Sequence, residues 1–370
     1  MKENQKGNEC MELNKELLVN LTEVNGIAGN ETQVRELFKK ETESYVDEFV
    51  QDGLGGIFGK HTGDAEGPKV LMAAHMDEVG FMVSEITDKG FIKFVTIGGW
   101  WSQVVLAQEV VITTREGKEI EGVTGSKPPH VLTAEARKKP IDMKDIFIDV
   151  GGQSKEDIEK MGIRPGDMIT PLIKTRRLND TPFLLGKAWD NRIGVAVAVE
   201  VLKHAKEKGH QTVLYSGANV QEEVGLRGAK VAANLVQPDI AIALDTGTAG
   251  DTPGMTKAEA DSELGKGPQV IVFDASMISH KGLRDFVVNI AEKHDIPFQY
   301  TFIPGGGTDA GSIHTAQAGI PSIAITVPVR YLHSTTSVIH EDDFKNTVRL
   351  VTAILDELNT ETVAKIKENV

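Results

Sequence analysis

The 370-residue sequence predicts an α/β protein interrupted by an inserted β domain. Apolar runs such as KVLMAAH, TVLYSGANV, DIAIALD, QVIVFD and SIAITVPV read as buried strands. Helical stretches alternate with them, the rhythm of an open sheet covered by helices. From about Glu78 to Asn179 the texture changes. Short alternating segments (GFMVSEI, GFIKFVTI, EVVITTR, IEGVTG, IFIDVGG, DMITPLI) stand between Gly, Pro and charged turns, the signature of a small β domain.

Residues 1–10 are polar and read as a disordered leader. Leu13, Leu17, Leu18, Leu21 and Val24 follow helical spacing, and Gly26 can end that helix. Asn30 with Gln33 makes a capping-box pattern for a second helix carrying Val34, Leu37 and Phe38. VDEFVQD and GGIFGKH follow as short β segments, and KVLMAAHMD is the first strongly buried strand. Inside the insert, Ser154 and Asp157 can open one short helix, SKEDIEKMG. After TPFLLGKAWDN, the helix RIGVAVAVEVLKHAKEKG is apolar nearly all round over its first half and so is expected to be buried. Next come strand TVLYSGANV, helix LRGAKVAANLV, strands DIAIALD and QVIVFD, and helix HKGLRDFVVNIAEKHD. Strands FQYTFI and SIAITVPV and a final amphipathic helix from about Glu341 complete the chain. The α/β domain therefore spans residues 11–77 and 180–370, with residues 78–179 inserted.

Composition narrows the class. Hydrophobic residues are 40% and charged residues 25%, as in a soluble globular protein. No apolar run approaches the roughly 20 residues of a membrane span. The start MKENQKGNECMELNKELL has no apolar signal core, so a cytoplasmic location is expected. The one cysteine, Cys10, excludes an intrachain disulfide and reads as an exposed thiol in a reducing compartment. Lys and Arg total 40 against 54 Asp and Glu, a formal charge of −14, which argues against a nucleic-acid-binding surface.

Five ligand-type residues fall at turns of the α/β pattern: His75 in VLMAAHMDEVG, Asp190 in GKAWDNRIG, Glu223 in ANVQEEVG, Asp245 in IALDTG and His333 in RYLHS. Ligands of open α/β sheets bind outside the carboxyl ends of the strands, and carboxylate with imidazole suits zinc, manganese or cobalt. Each residue also has a plainer reading. His75 can be a core histidine satisfied by hydrogen bonds. Asp190 can cap the buried helix. Asp245 ends an apolar strand, where it is costly unless paired, hydrogen-bonded or metal-bound. His340, near His333, reads as a surface residue at the start of the last helix. Glu222 and Glu223 can be a solvated pair, or one can ligate while the other takes a proton from water. Asp77, two residues after His75, can accept from its second ring nitrogen. The Gly-rich IPGGGTDAG lacks a phosphate-loop pattern and reads as a cleft-lining loop. A GxSxG elbow is absent, so serine or cysteine nucleophilic hydrolysis has little support.

Together AAHMDEVGFMV, GKAWDNRIG, SGANVQEEVGLRGA, ALDTG, DTPG followed by LGKGP, IPGGGTDAG and the late His333 resemble a known group. It is the dinuclear aminopeptidases that include bacterial glutamyl aminopeptidase and the archaeal tetrahedral aminopeptidases, family forty-two of the metallopeptidases. The resemblance covers nearly the whole chain after the leader. It implies a mixed-sheet α/β/α metallopeptidase catalytic domain with an inserted small β-barrel-like dimerisation domain. It implies two divalent metal ions per chain, zinc first, with cobalt or manganese as alternatives. His75, Asp190 and Asp245 would hold one ion, and Asp190, Glu223 and His333 the other. Glu222 would be the general base and Asp77 would orient His75. Substrates would be short peptides with a free N-terminus, and the chain would form homo-oligomers in which dimers build a dodecamer. Two competing expectations are a related two-metal carboxypeptidase or deacylase, and a catalytically silent binding protein of the same fold. A carbohydrate cleft is disfavoured by an aromatic content of only 5%.

Overall fold

The structure is a computed structural model that describes residues 13–370; the expected leader and Cys10 lie outside the described residues. Helices α1 (Lys15–Glu23) and α2 (Thr32–Thr42) precede strands β1 (Glu48–Gln51), β2 (Ile57–Thr62) and β3 (Lys69–His75). Six strands then follow: β4 (Gly80–Ile86), β5 (Phe91–Ile97), β6 (Glu109–Thr113), β7 (Glu119–Gly125), β8 (Phe147–Asp149) and β9 (Met168–Pro171), with α3 (Lys155–Met161) before β9. Short strands β10 (Arg176–Arg177) and β11 (Phe183–Gly186) lead into α4 (Trp189–Lys208) and β12 (Val213–Asn219). The remainder is α5 (Arg227–Val236), β13 (Ile240–Thr248), β14 (Gln269–Asp274), α6 (Lys281–Lys293), β15 (Gln299–Ile303), α7 (Asp309–Ile313), β16 (Ser322–Val329), β17 (Ser337–His340), α8 (Glu341–Glu357) and α9 (Thr360–Glu368).

The main sheet has eight strands in the order β1-β2-β12-β3-β13-β16-β14-β15. Its centre, β12-β3-β13-β16, is parallel, and antiparallel pairings join β2 to β12 and β14 to β16. Both faces are covered, which is why these strands read as unbroken apolar runs. Val70, Met72 and Ala74 of β3 pack in the same cluster as Ile193, Val197 and Val201 of α4, while Leu71 and Ala73 pack with Ala229 and Ala233 of α5. Gly194 lets α4 press onto β13, since a Cβ there would meet the Leu244 carbonyl oxygen at 2.4 Å. Strands β4, β5, β8, β7, β6 and β9 close a barrel around Phe81, Ile92, Val110, Ile148 and Ile169. Ser154 caps α3, its Oγ accepting from Asp157 N at 3.2 Å.

Several local expectations need correction. Asn30 does not cap α2: residue Glu31 stands at the cap without a side-chain cap bond, because its carboxylate accepts from Gly29 N and Gln221 N instead. The final amphipathic stretch is two helices, broken at Leu358 and restarted by Asn359, whose Oδ1 accepts from Thr362 N at 3.0 Å. Strand β13 runs on past Asp245 to Thr248. A small antiparallel sheet, β10-β11-β17, has no counterpart in the sequence reading. His340 is buried: it caps α8 through Nδ1, accepts from Asp342 N, and packs edge-on against Phe183.

Candidate metal centre

The centre lies at the carboxyl edge of the parallel strands. His75 ends β3 and is buried. Its Nδ1 donates to the Asp77 carbonyl oxygen at 2.9 Å. A carbonyl only accepts, so Nδ1 carries a proton, and Nε2 faces the carboxylates of Asp190 (3.3 Å), Glu222 (3.7 Å) and Asp245 (3.7 Å). Asp190 stands where α4 begins, but Asn191 does the capping, its Oδ1 accepting from Gly194 N at 3.1 Å. The Asp190 carboxylate is thereby free, with Oδ1 toward His75 and Oδ2 at 3.4 Å from His333 Nε2.

Asp245 sits inside β13 opposite Thr326 of β16, and its Oδ1 accepts from Thr246 N at 2.7 Å. His333 follows β16 in a left-handed turn (φ 52°), and its Nε2 lies 3.4 Å from Glu223 Oε2. Glu222 and Glu223 occupy the turn between β12 and α5, closed by Gly225 N donating to the Glu222 carbonyl at 2.9 Å. Donor atoms of His75, Asp190 and Asp245 lie within 4.8 Å of one another, as do those of Asp190, Glu223 and His333 and those of His75, Glu222 and Glu223. The first two sets share Asp190 alone.

Burial and crowding set the electrostatics. Burial opposes a charge on Asp190, yet hydrogen bonds to His333 and His75 hold it well below the usual carboxylate range. Burial, reinforced by Asp190, pushes Glu223 up to about 8. Burial raises Glu222 well above its ordinary value, with Asp245, Asp309 and Glu223 adding to the push against the opposing pull of His75. Burial would depress both imidazoles, but the surrounding carboxylates prevail: His75 rises well above its ordinary value and His333 to about 9. Glu78 is the carboxylate with its own cations, Lys187 Nζ at 2.6 Å and Arg192 at 3.4 Å. The others share two histidines, and Glu223 Oε1 is buried with no hydrogen-bond partner among the described residues. An excess of buried carboxylate with orphaned oxygens, arranged in three overlapping imidazole-containing sets, fits divalent cations.

Three further residues bear on the centre and escaped the sequence reading. Asp309, in IPGGGTDAG, is buried, accepts from Asn219 Nδ2 at 2.7 Å, and is raised by burial to about 7. Its one sequence signal is an Asp in an otherwise uncharged loop that opens a helix. Glu31 reaches Gln221 N at 3.1 Å, and no spacing links those segments. Arg192 is fully buried and donates to the carbonyls of Leu21, Val24, Gly26 and Met76, fastening α1 and the end of β3 to the start of α4. The barrel completes the wall: Cβ atoms at Gly98 and Gly99 would stand 3.3 Å from Glu223 Oε2 and 3.1 Å from His333 Nδ1.

The fold and the match to a peptidase family together define a hydrolase of the aminopeptidase class. The sequence model of the M42 glutamyl aminopeptidase family matches residues 55–350, and the chain belongs to that family. The glutamyl aminopeptidase of Lactococcus lactis subsp. cremoris is 39% identical, covering 94% of this chain and 97% of its own. The crystal structure of a TET aminopeptidase from a marine-sediment Thaumarchaeota archaeon superposes with a TM-score of 0.93 at 42% identity, covering 95% and 98%. PhTET1-12s, solved as a dodecamer, superposes with a TM-score of 0.83 at 32% identity, covering 94% and 100%.

Proposed function

We propose that this chain is a dinuclear metalloaminopeptidase that removes N-terminal residues from short peptides. The observation that carries the reading is the division of Asp190 between His75 and His333, which suits one carboxylate bridging two ions. His75, Asp190 and Asp245 would hold one ion; Asp190, Glu223 and His333 the other, zinc being the first choice and cobalt or manganese the alternatives. When bound, such ions lower the pKa of water and polarise the scissile carbonyl. Glu222, in none of the ligand roles, takes a proton from the attacking water and returns it to the leaving amine. Asp77 holds the backbone of the Glu222–Glu223 turn, and the Asp77 carbonyl fixes the His75 tautomer.

To residues 78–179, the insert, we assign the role of a dimerisation domain in a homo-oligomer that builds to a dodecamer, the state in which PhTET1-12s was solved. Its surface presents Trp101 at 60% and Val131 at 71% exposure, while Trp100 stacks on Phe81 within the barrel. Light scattering is expected to give a mass several times the 40.1 kDa of one chain; a fully active monomer contradicts the assembly. No helix among the described residues is long and apolar enough to cross a membrane, and a cytoplasmic peptidase is the reading we adopt.

The decisive test of the activity is a matched peptide series with free and acetylated N-termini. Acetylation removes the basic amine and adds bulk beside the cluster, so only the free series should be cut. Equal turnover of both rules out aminopeptidase action and favours a deacylase or endopeptidase.

A further inference from the structure

We infer that the cleft beside the metal cluster accepts an uncharged, apolar N-terminal side chain, such as that of leucine or methionine, and discriminates most strongly against glutamate. The inference rests on the aminopeptidase reading and names the substrate class within it. The cleft encloses about 430 Å³, within the usual range for small-ligand sites. Among the described residues, every titratable side chain on its wall belongs to the cluster of five ligand candidates and Glu222. Beyond the cluster, the described residues of the wall are Leu226, Ile303, Leu332, Thr248 and small residues, with neither a cation nor a free carboxylate among them.

Two of the four hydroxyls of that wall are committed elsewhere, while Thr246 Oγ1 is buried with no hydrogen-bond partner among the described residues. Ser276 Oγ donates to Asp274 Oδ1 at 2.7 Å, and Thr308 Oγ1 donates to Asp274 Oδ2 at 3.1 Å. A substrate carboxylate entering here would lose water and gain no counter-charge, a costly transfer. A leucine or methionine side chain would instead cover Leu226, Ile303 and Leu332. Lysine is intermediate: its stem can lie along the same apolar wall while its ammonium stays at the mouth. A formal chain charge of −14 also favours the cation over the anion. The relative from Lactococcus is named a glutamyl aminopeptidase, so this chain is expected to differ from it in side-chain preference.

The test is kcat/KM of the metal-loaded full chain on leucyl, methionyl, lysyl and glutamyl nitroanilides. A pocket mismatch typically costs about 10–200-fold, so the leucyl and methionyl substrates should exceed the glutamyl one by at least about tenfold, with lysyl between. Thr248 is exposed at the end of β13 on the cleft wall, and Thr248→Lys should raise the Glu:Leu ratio by about tenfold or more. Calorimetry with free leucine, lysine and glutamate supplies a readout independent of turnover, with leucine expected to bind tightest. Glutamyl substrate cut as well as leucyl, or glutamate bound tightest, overturns the inference while leaving the aminopeptidase reading intact. A Glu:Leu ratio unmoved by Thr248→Lys overturns the assignment of this wall. Failure to cut any free-amine substrate overturns the aminopeptidase reading and the inference with it.

Discussion

The carboxylate of Asp77 accepts the backbone N–H of Glu222 at 3.0 Å, and through its other oxygen it accepts that of Glu223 at 3.1 Å. One buried acid thus fixes the main chain of both adjacent glutamates, while its carbonyl orients His75. Asp77→Asn keeps the volume but turns one acceptor into a donor that faces an N–H. Such supporting changes typically cost about 10–100-fold in metal affinity or activity, and that loss is expected here with circular dichroism unchanged. Wild-type activity and metal affinity in Asp77→Asn would show that the turn is held by other contacts.

Glu222 and Glu223 are adjacent, yet they separate by task. Glu222→Gln should retain both metals and the fold but lose about 10²–10⁴-fold in kcat, because an amide cannot take the proton. Glu223→Gln should instead lower the occupancy of one ion, read by metal analysis after dialysis. Near-normal kcat in Glu222→Gln means that the two roles are wrongly assigned.

The gathering of His75, Asp190, Glu223, Asp245 and His333 was legible because four of them follow or interrupt strongly apolar runs, and parallel strands deliver their carboxyl ends to one edge. The six barrel strands were legible from their period-two alternation. What escaped depends on contacts distant in sequence. Glu31 bonds to Gln221 across 190 residues, so α2 begins without the Asn30 cap that the local pattern suggests. Strands β10 and β11 are two and four residues long and carry no readable period; only the pairing of β10 with β11 and of β11 with β17 defines them. The strand nature of residues 337–340 also buries His340, which its polar surroundings disguised as a surface residue.

Metal removal should destabilise the protein. Without cations, Glu222 and Glu223 are buried among Asp190, Asp245 and Asp309 with two imidazoles to balance them. An ion that binds only the folded chain adds about 2.7 kcal/mol at 100 times its Kd. Chelation should therefore lower Tm, and restoring zinc, cobalt or manganese should raise it again. An identical Tm for the chelated and reloaded protein would contradict a buried metal site.

Far from the centre, His61 Nδ1 and His210 Nε2 lie 2.9 Å apart, and His210 Nδ1 meets Thr212 Oγ1 at 2.8 Å. Burial, followed by the charge of His61, pushes His210 down from 6.5 to about 4. A depressed histidine contributes stability above pH 6.5 and loses it as pH falls toward 4, where the unfolded chain takes up a proton that the folded chain refuses. His210→Gln should flatten the decline of Tm between those pH values. An unaltered acid slope would place the acid-sensitive group elsewhere.

The central claim is a pair of ions bridged by Asp190, and metal analysis of pure, reconstituted protein tests it most directly. Parallel activity measurements on the same samples should rise to their maximum as the content approaches two divalent ions per chain. A content that stays at one ion per chain in fully active protein would contradict the bridged site.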